Sequence, residues 1–91
     1  MRTESVEIYS NATNSAVIRH PARKFPGILV QGDTLHSMKK GAERALANLD
    51  IEKNEEAYFE VKDLHDWLTA LTHHYKSTLL EHEMTLPFHD S

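Results

Sequence analysis

At Gly32-Asp33 the spacing of the apolar residues changes, and that change restricts the chain to a few architectures. Before it, apolar residues alternate with others, the period of a half-buried strand. After it, they recur every three or four positions, the period of an amphipathic helix. Strands collected before helices point to an α+β layer rather than to alternating parallel units. The reading is a three-stranded antiparallel β-meander followed by two α-helices, the second one long. Strands are expected at about 5–9, 15–20 and 27–31, and helices at about 34–49 and 55–83. With 91 residues the chain reads as a single domain, 1–91.

Within the sheet, alternation puts Val6, Ile8, Ala16, Ile18, Ile28 and Val30 on one face, expected to carry the core. Glu7, Tyr9, Val17, Arg19, Leu29 and Gln31 fall on the other, where Tyr9, Val17 and Leu29 form a small outer apolar patch. Asn11 to Asn14 carries turn chemistry. Between the second and third strands lies His20-Pro21-Ala22-Arg23-Lys24-Phe25-Pro26, a loop stiffened by two prolines. Arg19, His20, Arg23 and Lys24 make it the most basic place in the chain, and Phe25 is expected to anchor it.

Asp33 or Thr34 suits the cap of the first helix, and Asn54 that of the second, with Glu55 and Glu56 at its positive end. Leu35, Met38, Ala42, Ala45, Leu46 and Leu49 form the apolar stripe of the first helix, leaving Lys39, Lys40 and Arg44 exposed. Ala57, Val61, Leu64, Leu68, Leu71, Tyr75 and Leu79 form that of the second. Phe59, Trp67, Leu80 and Met84 lie beside or away from that stripe. This is more apolar surface than a monomeric helix needs, and it suits a protein partner or a second copy. Leu86 and Phe88 are expected to pin the tail against the body.

The chemistry legible in the residues is sparse. There is no cysteine, so neither a disulfide framework nor a thiolate metal site is expected. Seven histidines are present, but His65, His73, His74 and His82 on the second helix lack the i,i+3 or i,i+4 spacing of metal ligands. No serine sits in a glycine-flanked elbow and no glycine-rich phosphate loop occurs. The expectation is a non-enzymatic chain with no catalytic residues, metal or cofactor. The net charge of −4 argues against sequence-independent nucleic-acid binding. No apolar run is long enough for a membrane span and the first ten residues do not read as a signal peptide, so a cytoplasmic location is expected.

The run Asn14, Ala16-Val17, Arg19, Pro21, Arg23, Phe25-Pro26-Gly27 and Gln31-Gly32-Asp33-Thr34-Leu35, with Leu86-Pro87-Phe88 near the end, resembles the signature of a small uncharacterised bacterial domain family. That resemblance brings no activity with it. Phe25-Pro26-Gly27 followed by Gln31-Gly32-Asp33-Thr34-Leu35 and a helical Ala42 to Leu46 is also locally similar to HicB-type antitoxins, which implies a toxin-neutralising or other protein-binding role. The expected function is therefore a small protein-interaction module, immunity- or antitoxin-like, with a protein partner of unknown identity. Its candidate contacts are Arg19, His20, Arg23, Lys24 and Phe25 on the loop and Phe59 and Trp67 on the second helix. Self-association would use that helix or the outer sheet face. The alternative is binding of nucleic acid or an anionic ligand by loop 19–25.

Overall fold

The computed structural model describes residues 1–12 and 15–89. It contains three strands, β1 (Glu7–Ser10), β2 (Ser15–Arg19) and β3 (Gly27–Val30), then two helices, α1 (Gly32–Ala47) and α2 (Glu55–Glu81). The sheet is antiparallel in the order β1-β2-β3. The α+β meander with a long second helix is thus the observed fold. Part of the turn expected at Asn11 to Asn14 lies outside the described residues. The chain forms two compact units, 1–31 and 32–91.

In the first unit, β2 is the central strand. Ala16 faces Leu29, Val17 faces Ile28 and Ile18 faces both Gly27 and Ile8. Directly opposed residues point to the same side of a sheet. Leu29 therefore shares a face with Ile8, Ala16 and Ile18, whereas Ile28 and Val30 lie with Val17. This corrects the alternation-based assignment of β3 by one residue. The cause is visible in the sequence: Ile28, Leu29 and Val30 are consecutive apolar residues, so either register puts apolar groups on both faces, and the preceding loop decides between them. A bulge between Ile8 and Ser10 shifts the register in β1.

The face expected to carry the core is not enclosed. Ile8, Ile28, Leu29 and Val30 are exposed, Ile28 by 68%, and only Ala16 to Arg19 of β2 are half-buried. Three strands of four or five residues make too small a surface to enclose side chains by themselves.

The second unit is a helical hairpin. Asp33 lies in the first turn of α1 rather than before it. Its carboxylate accepts the Thr34 N–H at 2.9 Å and favours the positive helix start. In the connection, the Asp50 carboxylate accepts the Glu52 N–H at 2.9 Å, and the Asp50 carbonyl accepts the Asn54 N–H at 2.8 Å. Asn54 occupies the cap position of α2, but its side chain makes no capping bond. Glu55 and Glu56 supply the favourable charge there.

Contacts along the hairpin show that the helices run antiparallel: Glu43 meets His65, and Gly32 meets Tyr75. Among the described residues, Gly32, Ala42, Leu68 and Thr72 are buried, the last two at 2% exposure. On α2 the seam runs through Val61, His65, Leu68, Thr72, Tyr75 and Leu79, a 4-3-4-3-4 spacing close to a heptad. His65 and Thr72 thus take the places expected for Leu64 and Leu71. Thr72 tolerates burial because its hydroxyl donates to the Leu68 carbonyl at 2.7 Å. On α1, Met38 and Ala45 are exposed, and Lys39 and Lys40 are half-buried rather than exposed. Long lysine stems cover apolar surface while their amines reach a carboxylate, here Glu43 at 3.6 and 3.4 Å.

At its far end α2 closes in a Schellman turn. The Glu83 N–H donates to Leu80 and the Met84 N–H to Leu79, while Glu83 adopts a left-handed φ of 56°. The chain reverses there and the tail returns to the hairpin. Phe88 stacks on His36 at 4.1 Å and near Tyr75 at 6.3 Å. Leu86 and Phe88 are half-buried, as the sequence suggests.

Two glycines should respond oppositely to alanine. A Cβ at Gly41 would meet only Arg44, at 3.7 Å, so Gly41→Ala should stabilise the hairpin by up to ~1 kcal/mol through helix propensity. A Cβ at Gly32 would overlap the Tyr75 ring, so Gly32→Ala should destabilise by about 1–3 kcal/mol. Urea denaturation of the two variants checks the pair. Glu83→Gly should stabilise by about 1 kcal/mol, because glycine adopts the left-handed conformation without steric cost. A shift of its urea midpoint to lower concentration would refute that account of the turn.

Candidate functional site

The basic loop is built on a β-turn. Pro21 stands at the second position of His20-Pro21-Ala22-Arg23, where its fixed φ suits the turn, and the Arg23 N–H donates to the His20 carbonyl at 2.9 Å. His20 Nδ1 accepts the Ala22 N–H at 3.0 Å. Arg19 at the end of β2 ties strand to loop. Its Nη1 donates to the Arg23 carbonyl at 3.0 Å and its Nε donates to Glu7. Tyr9 adds a hydroxyl hydrogen bond to the same Glu7 oxygen at 3.3 Å. The hydrogen bond and charge of Arg19 hold the Glu7 carboxyl below its usual range, and Glu7 in turn raises Arg19. The Arg19 guanidinium is therefore engaged in holding the loop.

Arg23 and Lys24 are exposed, and neither has a carboxylate within ion-pairing distance among the described residues. Lys24 Nζ lies 5.5 Å from the Phe25 ring centre. Phe25 is 72% exposed, which corrects its expected role as a tucked anchor. A backbone turn and Arg19 hold this loop instead. An open depression of about 470 Å³ lies beside it. Ile18, Phe25, Ile28 and Leu29 give it apolar walls, and His20, Arg23 and Lys24 give it a basic rim.

Phe59 and Trp67 belong to the other unit. They lie on α2 two turns apart, roughly 12 Å along the axis. Phe59 is exposed and meets Tyr58 edge-on at 5.4 Å. Trp67 is 59% exposed, with exposed Leu64 and Leu71 one turn before and after it. The candidate residues thus form two separate groups, one in each unit.

The flanks of the hairpin differ in character. On one flank, Glu43 gathers Lys39, Lys40 and His65, the last at 3.5 Å. His65 also lies 3.4 Å from the Thr69 hydroxyl and 3.6 Å from Asp66, which pairs with Lys62 at 2.8 Å. Met38, Leu64, Trp67 and Leu71 have the opposite helical phase, so they emerge on the other side of the seam. The polar cluster was not legible in the sequence, because Glu43 and His65 are 22 residues apart and only the packing of the helices brings them together.

Desolvation pushes the Glu43 carboxyl up. The hydrogen bond from His65 and the charges of Lys40 and Lys39 outweigh it and leave the group below its ordinary 4.5. A carboxyl depressed in the folded state contributes stability above its unfolded value and loses it as pH falls through the folded value. Glu43→Gln should therefore lower stability near neutral pH, with the difference closing in acid below 4.5. Urea titrations of both proteins across that range check it, and a difference independent of pH would contradict it.

No group of three or more histidine, aspartate or glutamate side chains among the described residues is arranged to hold a metal ion. No helix among them is long and apolar enough to cross a membrane. Neither the curated proteins nor the solved structures give a match to this chain. The model of a family of unknown function, DUF6959, spans residues 1–88, from the leading segment through the sheet and hairpin to the Phe88 stack, and the chain belongs to that family.

Proposed function

We propose that this chain is a non-enzymatic protein-interaction module. The observation that carries the reading is the apolar flank of the hairpin, where Leu64, Trp67 and Leu71 of α2 and Met38 of α1 stay exposed beside a seam that polar residues help to fill. Tryptophan at the middle of an apolar patch is the residue type that most often dominates a protein interface. An immunity or antitoxin-like role, in which a small bacterial protein covers a toxin, is one instance of this class. The local similarity of the Phe25 to Leu46 region to HicB-type antitoxins supports it by analogy.

The loop supports a second reading, recognition of an anionic group by Arg23 and Lys24 on the rim of the depression. Nucleic acid fits it less well. Arg19 is already held by Glu7 and the Arg23 carbonyl, and one exposed phenylalanine makes a poor stacking platform.

The test is cross-linked affinity purification from the native cells, with light scattering of the purified chain over a concentration series. A partner enriched by the wild type should fall about tenfold or more with Trp67→Ala, the loss expected of an interface hot spot. A dimer dissolved by the same substitution would identify the partner as a second copy. A monomer at all concentrations with no enriched partner would defeat the reading.

A further inference from the structure

We infer that the open edge of β3 and the depression beside it bind an acidic peptide in extended form, which adds to the sheet as a fourth strand. This rests on the interaction-module reading and names a partner class for it, on the sheet unit.

The first ground is the edge itself. The sheet order leaves β1 and β3 as edge strands. Edge strands are commonly protected by charges, prolines or bulges. β1 has such features, with Glu7 in an ion pair to Arg19 and a bulge between Ile8 and Ser10. β3 reads Gly27-Ile28-Leu29-Val30, with no charge, proline or bulge, and all four residues are exposed. An unprotected edge offers main-chain donors and acceptors to a strand, and alternate side chains of that strand then need pockets. The depression lies at this strand and includes Ile28 and Leu29 among its apolar walls.

The second ground is charge. Residues 1–31 carry four basic and two acidic side chains, whereas residues 32–91 carry six basic and twelve acidic. The sheet unit is thus positive within an acidic chain. Two of its four cations are paired: Arg2 meets Glu4 at 2.8 Å and Arg19 meets Glu7. Arg23 and Lys24 stand on the rim without a carboxylate among the described residues. Pairing β3 with β3 of a second copy would bring two positive units together. A strand carrying glutamate or aspartate brings complementary charge to the same edge.

The probe is a capped heptapeptide alternating glutamate with valine, titrated into the isotopically labelled full chain and followed by backbone amide resonances. The amides of Gly27 to Val30 should shift and gain exchange protection. Replacing Arg23 and Lys24 together by alanine should weaken binding about fivefold, the sum of two exposed ion pairs. The Arg19 tether would survive this change, since it ends on the Arg23 main-chain carbonyl. A lysine–valine peptide should bind more weakly than the acidic one, and an acidic peptide N-methylated on its pairing edge should not bind.

Four results would overturn the inference: no β3 shift at millimolar acidic peptide, equal binding of the lysine peptide, equal binding of the methylated peptide, or β3 shifts that follow protein concentration without peptide. The last would make the occupant a second copy. Any of these, alongside a partner still lost with Trp67→Ala, would remove the strand-addition site and leave the module reading standing.

Discussion

The hairpin depends on how closely α1 and α2 approach, and that approach is set by small residues on α1. Gly32 gives the Tyr75 ring the space that a Cβ would occupy, and Ala42 is enclosed further along the same helix. On α2 only Leu68 and Thr72 are fully enclosed. A seam built on so few buried groups has little redundancy. It compensates with polar bonds: within the seam Thr72 bonds back to its own helix, and at the margin Glu43 collects two lysines and a histidine.

Filling the seam this way has an outward consequence. Each polar residue taken inward displaces an apolar neighbour to the surface: Leu64 beside His65, Leu71 beside Thr72, Met38 beside Lys39. The exposed flank and the polar seam are therefore two results of one rotation of the helices. In the sheet unit the same separation of roles appears within a single loop. Arg19 is committed to Glu7 and the turn, which leaves Arg23, Lys24 and Phe25 projecting from a braced backbone.

The architecture was legible because the hydrophobic period changes once, at Gly32, and because Asp50 to Asn54 interrupts it between the helices. The faces were less legible, for specific reasons. Three consecutive apolar residues in β3 carry no register information. On α2 the expected stripe and the true seam share a near-heptad spacing and differ by one position at Leu64 and Leu71, because a binary pattern counts His65 and Thr72 as polar. The loop cations are evident in the composition, but the tie between Arg19 and Glu7 depends on the pairing of β1 with β2. The exposure of Phe25 is not legible in the sequence, because an aromatic between a lysine and a proline suits an anchor equally well until the turn around it is fixed.

The left-handed turn at Glu83 also bears on how the unit assembles in time. It returns the tail so that Phe88 lies on His36, near the start of α1, and beside Tyr75, whose ring covers Gly32. The opening of α1 is thus completed by segments that leave the ribosome long after it. Contacts that span such sequence separations carry a loop-closure cost before they yield any stabilisation. During synthesis the opening of α1 therefore stays uncovered until Tyr75 and Phe88 have emerged, and the closing of Phe88 over His36 completes that end of the hairpin.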